Sequence, residues 1–201
     1  MLTSVEVRWF LAGSVPEKIE AWFLAETQIG QLSPKEQRQD IYLDLSDRED
    51  LGIKLRQNNL EVKWRETQFG SRIWENLGEG YTERWMKWSC PDKIVPEFAQ
   101  QAIASSRWIA IDKIRYQRHH QQVEGKCALE LSQLQLKQQT WWSFAAEATG
   151  DRSSLETLLD RTLKQLCQRD RPCPQFELAA SYSYPHFLSE LEIELAPGIQ
   201  I

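Results

Sequence analysis

Apolar and polar residues alternate along most of this chain with the period of two that a β-strand imposes on its side chains. From Thr3 to Leu11, Val5, Val7 and Trp9 share one face, while Ser4, Glu6 and Arg8 share the other. Asp40 to Leu45 and Gly52 to Arg56 read as strands on either side of a turn at Ser46 to Asp50. Asn58-Asn59 then turns the chain into Leu60 to Arg65, where Leu60, Val62 and Trp64 oppose Glu61, Lys63 and Arg65. Glycines punctuate a weaker pair, Ser71 to Glu75 and Tyr81 to Ser89, and the pattern does not assign the faces of the second. Trp108 to Arg118 is a strand with apolar residues on both parities, as expected where both sides are covered. Lys126 to Lys137 and Thr140 to Ala148 form a last hairpin across Gln138-Gln139.

Helical spacing interrupts this pattern in three places. Ser14 and Glu17 have capping-box spacing and lead a short amphipathic helix from Val15 to Glu26. Glu97 to Ser105 reads as a second short helix. Ser153 and Glu156 form another capping-box pair, and Leu155, Leu158, Leu159, Leu163 and Leu166 make a stripe, to about Gln168, that suits the outside of a sheet. In the tail, Ser183 to Leu188 reads as a packed motif, and the alternation at Leu191, Ile193 and Leu195 as an edge strand or a loosely held terminus.

Antiparallel strands joined largely by hairpins can close into a barrel and so remove their exposed edges. The expected class is therefore mainly β with flanking helices, an α+β protein. One domain is expected over residues 1–201, with its core at about 3–190, since domains of roughly 100–200 residues already bury a sizeable core.

Composition narrows the function. Net charge is −5 with dispersed carboxylates, so the overall field does not favour duplex nucleic acid, and any anion site must be local. No apolar run reaches the ~20 residues of a membrane span, and the amino terminus lacks a basic region before an apolar stretch; a cytoplasmic protein without membrane contact is expected. The four cysteines have no CxxC spacing, which argues against a zinc site and for reduced thiols.

The charges fall on one parity of successive strands: Glu6 and Arg8, Lys54 and Arg56, Lys63 and Arg65, Lys113 and Arg115, Glu130, Glu147. Most such faces meet solvent, because charged side chains are mostly exposed. Here the opposite faces need cover that amphipathic helices can supply from outside, which turns the charges inward. Cations two residues apart on a strand stand about 7 Å from each other, a spacing that suits successive phosphates. Carboxylates beside them make sense if Mg²⁺ or Mn²⁺ bridges to phosphate. Three other signals have plainer readings: His119-His120 as a surface loop, Trp141-Trp142 as packing with one ring on each face, and Tyr42 with Asp44 as either structural or loop-orienting.

The order of these segments resembles the CYTH domain, the triphosphate tunnel metalloenzyme superfamily. Glu6-Val7-Arg8 resembles the second half of its E-x-E-x-K signature. Asp40 to Asp44 followed by Leu51 to Arg56 resembles its YxD and LRxR stretch, Leu60 to Lys63 the basic strand that follows, and Lys113-Ile114-Arg115-Tyr116 the K-x-R segment. Glu130 and Glu147 fall at the late acidic pairs, and Ser183 to Leu188 resembles the SYxxLL motif. The resemblance implies an antiparallel eight-stranded tunnel acting on inorganic triphosphate, thiamine triphosphate, RNA 5′-triphosphate ends or nucleotides. It implies phosphate contacts from Arg8, Lys54, Arg56, Lys63, Arg65, Lys113 and Arg115, with Glu6, Glu130 and Glu147 as catalytic metal ligands. Ser4, Ser132 and Ala145 stand where carboxylates are expected, and Arg8 where a lysine is.

Three uses of such a lumen are compatible with the sequence. One is a metal-dependent phosphohydrolase. Another is a polyphosphate- or nucleotide-binding protein with a degenerate metal site. The last is a structural domain whose cations are neutralised by carboxylates such as Glu61 and Glu83.

Overall fold

The computed structural model describes residues 1–25, 28–45, 48–57, 59–90, 107–167 and 173–191, together with four helical positions, 97, 100, 101 and 104. The strands are β1 (Leu2–Ala12), β2 (Gln31–Leu32), β3 (Glu36–Leu43), β4 (Leu51–Arg56), β5 (Asn59–Trp74), β6 (Gly78–Ser89), β7 (Trp108–Gln122), β8 (Gly125–Leu136) and β9 (Gln139–Gly150). Helices α1 (Glu17–Ala25), α2 (Leu155–Leu166) and α3 (Tyr184–Glu190) flank them. Around the sheet the order is β7, β3, β4, β5, β6, β1, β9, β8, and β8 pairs back onto β7, closing eight antiparallel strands; the short β2 adds to β7. Closure follows from the hairpins: each strand finds its partner nearby in sequence, and only β1 and β7 pair across long separations.

The expected burial of alternate residues is present, and it divides the apolar side chains between two places. Val5, Val7 and Trp9 of β1, Leu129 and Leu131 of β8, and Phe144 and Ala146 of β9 point outward and pack under α1 and α2. Ile19 and Phe23 come from α1, and the α2 stripe is buried as the spacing predicts. The Trp9 ring stacks against Phe176 at 4.8 Å, and its indole N–H donates to the Glu79 carbonyl at 2.7 Å. Inside the barrel the luminal parity turns apolar towards one end, at Phe10, Ile109, Ile111, Leu134 and Leu136. There α3 supplies Phe187, whose ring stacks on Phe10 at 4.2 Å, and Leu188. That end of the lumen is packed.

Several local expectations are corrected. β3 begins at Glu36, because Glu36, Arg38 and Asp40 find partners inside the barrel and a charged stretch can then be a strand. β5 is a single long strand from Asn59 to Trp74, kept in register with β6 by irregularities between Arg65 and Thr67 and between Gln68 and Gly70. β7 continues through His119-His120 to Gln122, so the two histidines lie in a strand paired with β8 and not in a loop. The second capping box is absent. Ser154 is the N-cap residue without a side-chain bond, Asp151 accepts from Ser153 and Ser154, and Glu156 turns to Arg72 and Arg84. Helix α1 starts at Glu17, with the Pro16 carbonyl accepting from Ile19 N–H at 2.8 Å. Trp141 and Trp142 do part to opposite faces, towards Phe187 and Phe176 respectively. The expected helix at 97–105 and turn at 46–50 are described only in part, and the alternation beyond Leu191 lies outside the described residues.

Candidate polyanion site in the lumen

The alternation of each strand places its charged parity on one cavity of about 150 Å³. This is far larger than the water-sized gaps of a packed interior. Glu6 and Arg8 come from β1, Arg38 and Tyr42 from β3, Lys54 and Arg56 from β4, and Glu61 and Lys63 from β5. Trp85 and Lys87 come from β6, Lys113, Arg115 and Gln117 from β7, Glu130 from β8 and Glu147 from β9, while Tyr184 and Pro185 reach in from α3. Among the described residues, nine lysines and arginines face four glutamates on its lining.

Those cations are not idle. Asp40, fully buried, has the Lys113 ammonium at 3.1 Å, the Lys54 ammonium at 3.5 Å and Arg38 Nε at 3.0 Å. Burial alone would raise its carboxyl pKa, but these three charges hold it well below the usual carboxylate range. Glu130 is gripped similarly. Arg8 donates to Oε1 at 3.1 Å, Arg115 to Oε2 at 3.2 Å, Gln117 to Oε2 at 3.1 Å and the Ser132 hydroxyl to Oε1 at 3.2 Å. Against the cost of burial, Arg8, Arg115 and Lys113 keep Glu130 ionised far into acid. Glu61 takes Arg56, Lys87 at 3.0 Å and Lys54 at 3.4 Å, and Glu36 takes Arg115 and Arg38.

Lys113 is the most perturbed cation. Desolvation, then repulsion from Lys54 and Arg8, outweigh the attraction of Asp40 and Glu130 and lower its pKa to about 7. Its ammonium donates to the Tyr42 hydroxyl at 2.8 Å and lies 4.0 Å from the centre of the Tyr184 ring.

No protein-family model matches the chain, and neither does any curated protein. The pairings and the charged lumen decide the architecture. The fold is a closed eight-stranded antiparallel barrel. Among solved structures, a conserved hypothetical protein from Pyrococcus furiosus is similar at 14% identity and a TM-score of 0.42, over 96% of this chain and 99% of that one. The PH1012 protein of Pyrococcus horikoshii gives 14% identity and 0.41, over 83% and 92%. An RNA triphosphatase from S. pombe gives 8% identity and 0.39, over 85% of each chain. These likenesses are remote, and the barrel rests on the chain's own strand register.

Of the ten residues that the CYTH resemblance implies, nine line this cavity: Glu6, Arg8, Lys54, Arg56, Lys63, Lys113, Arg115, Glu130 and Glu147. Arg65 lies off that lining, donating to Glu83 at 2.7 Å. Sequence reasoning missed Arg38 and Lys87 as cations, Asp40 and Glu36 as their counterions, and Tyr184 as a wall. The alternation Glu36, Arg38, Asp40, Tyr42 was the available signal for the β3 group. For β6, the pairing of Lys87 with Lys63 is what assigns 83, 85 and 87 to the inside.

The acidic residues do not compose a ready site for a divalent metal. Glu6 and Glu147 are cross-strand partners, yet both already pair with the Lys63 ammonium, at 2.6 and 3.6 Å. Glu130 has both oxygens occupied by arginines and their neighbours. Mg²⁺ and Mn²⁺ want several oxygen donors around one point, and among the described residues no three acidic, histidine or cysteine side chains are grouped to hold an ion. The luminal neighbours that would complete such a set are Ser132 and Ala145, opposite Ser143 and Glu130. No described helix is long and apolar enough to cross a membrane.

Proposed function

We propose that this chain is a divergent CYTH-type protein that binds a triphosphate or short polyphosphate group in its lumen, with its own lysines and arginines in place of a metal. The observation that carries this reading is the excess of cations over carboxylates on the lining of one cavity. Arginine offers phosphate paired donors, and lysine a point charge, so Arg8, Arg38, Arg56 and Arg115 fix orientation while Lys54, Lys63, Lys87 and Lys113 add attraction. The carboxylates act as internal counterions. They hold the cations in place before a ligand arrives, and a phosphate oxygen then replaces Glu130 at Arg8 and Arg115. Inorganic triphosphate, thiamine triphosphate and nucleotides all present the required group.

The test is thermal unfolding with tripolyphosphate, with and without EDTA. Ligand at a hundred times its Kd adds about 2.7 kcal/mol by mass action, which is a rise of roughly 5–10 °C at this chain length. The same rise in EDTA is expected, and no rise at millimolar ligand would sink the proposal in favour of a self-neutralised structural barrel. A second reading, hydrolysis with Mg²⁺ or Mn²⁺, draws support from Glu6 and Glu147 facing each other across β1 and β9. It requires both to leave Lys63 for the metal, and it predicts phosphate release from tripolyphosphate that depends on Mn²⁺.

A further inference from the structure

The geometry points to a reversible disulfide between Cys167 and Cys173, on the outer side of the barrel and away from the charged lumen. Their sulfur atoms stand 2.6 Å apart, only about half an ångström beyond the roughly 2.05 Å of a formed bond. Both flanks are held in place. Cys167 closes the last turn of α2, its N–H donating to the Leu163 carbonyl at 3.3 Å. Cys173 lies three residues before Phe176, whose N–H donates to the Leu77 carbonyl at 2.8 Å and whose carbonyl accepts from Glu79 at 3.0 Å. The thiols therefore meet because the helix end and the strand-bound segment are each anchored, and oxidation requires little movement of either.

Access separates Cys173 from the buried Cys127. Cys173 is half-buried and lines a surface groove with Trp22, Trp142 and Phe176, so a small oxidant can reach it. Cys127 is fully buried, and burial pushes its thiol up to about 12, which leaves it inert. The exchange balances with a small-molecule disulfide as oxidant. The Cys173 thiolate attacks oxidised glutathione and releases one glutathione thiol; the Cys167 thiol then displaces the second, and its proton goes to solvent. Two protein thiols are oxidised and one glutathione disulfide is reduced.

The full-length protein is equilibrated in glutathione buffers of increasing oxidised fraction, quenched with acid, unfolded and labelled with N-ethylmaleimide. The expected result is the loss of two labels from four, and a proteolytic map linking Cys167 to Cys173. Cys173→Ser abolishes the link and Cys90→Ser preserves it. The oxidised form melts higher by about 5 °C, as closing a short loop predicts, while tripolyphosphate affinity is unchanged. Full labelling at every ratio, glutathione retained on Cys173, or disulfide-linked dimers would each overturn the proposal. The wild-type map decides the matter even if a cysteine variant fails to fold.

Discussion

Glu130 shows how one side chain separates a binding lumen from a catalytic one. As a metal ligand its loss abolishes activity; as an internal counterion its loss frees Arg8 and Arg115 for the ligand. Glu130→Gln is expected to tighten tripolyphosphate binding by about tenfold, the size of one charge-assisted hydrogen bond that no longer competes. The same change destabilises the empty protein by about 3 kcal/mol, because the largely buried Arg8 loses its ion-pair partner and Arg115 keeps only Glu36. Calorimetric titration and thermal unfolding of one sample read both effects. Lys113 gives the pH dependence. Its folded-state pKa is lowered to about 7 from an ordinary 10.5, so the unfolded chain holds the extra proton between those values. Stability from this group therefore rises with pH through that window. Polyanion affinity runs the other way, since only the protonated form attracts phosphate. Affinity is expected to fall as pH rises from 6 to 8, with proton uptake on binding at pH 7.5, and Lys113→Met to flatten the profile; these are conditions for titration calorimetry in buffers of different ionisation heat.

At the scale of elements, the helices cover and the strands bind. Helix α2 buries Leu155, Leu158, Leu159 and Leu163 against the outer faces of β1, β8 and β9. Leu159→Ala is expected to cost about 3 kcal/mol, as for other buried leucines, with tripolyphosphate affinity unchanged in the protein that remains folded. The β5–β6 turn has its own constraint. Gly78 adopts φ +118°, and a Cβ there would meet the Phe176 carbonyl oxygen at 1.9 Å. Gly78→Ala should lower the unfolding midpoint by several degrees, a cost of roughly 2 kcal/mol, and it tests whether the Phe176 segment is fixed as the thiol pair requires. The buried Arg118 serves a further joint, donating from β7 to the Phe23 and Leu24 carbonyls at 2.9 Å, where α1 ends.

For the whole molecule, closure is what reconciles an acidic protein with a cationic site. The net charge is −5, while the barrel wall gathers cations from six strands on one cavity. Low-dielectric surroundings make that local field count for more than the net charge. A large excess of duplex DNA is therefore expected to leave tripolyphosphate affinity unchanged in a competition titration, since its backbone cannot enter the lumen.

Alternation by itself determined the strands β1, β4, β8 and β9, the leucine stripe of α2, and the parity that carries Arg8, Lys54, Lys63, Lys113, Arg115 and Glu130. Those follow from period and side-chain chemistry, which are local. The strand at Glu36 to Asp40 showed only as an alternation of charges, and such a segment becomes a strand only when cations on β4 and β7 offset its burial. The packing of one end of the lumen by α3 was equally hidden, since Phe10 and Phe187 are brought together only by the closed barrel. Tertiary structure also decided the state of the metal-ligand candidates. The sequence counts carboxylates along the chain, but which of them meets Lys63, and which is held between two arginines, depends on cross-strand register and closure.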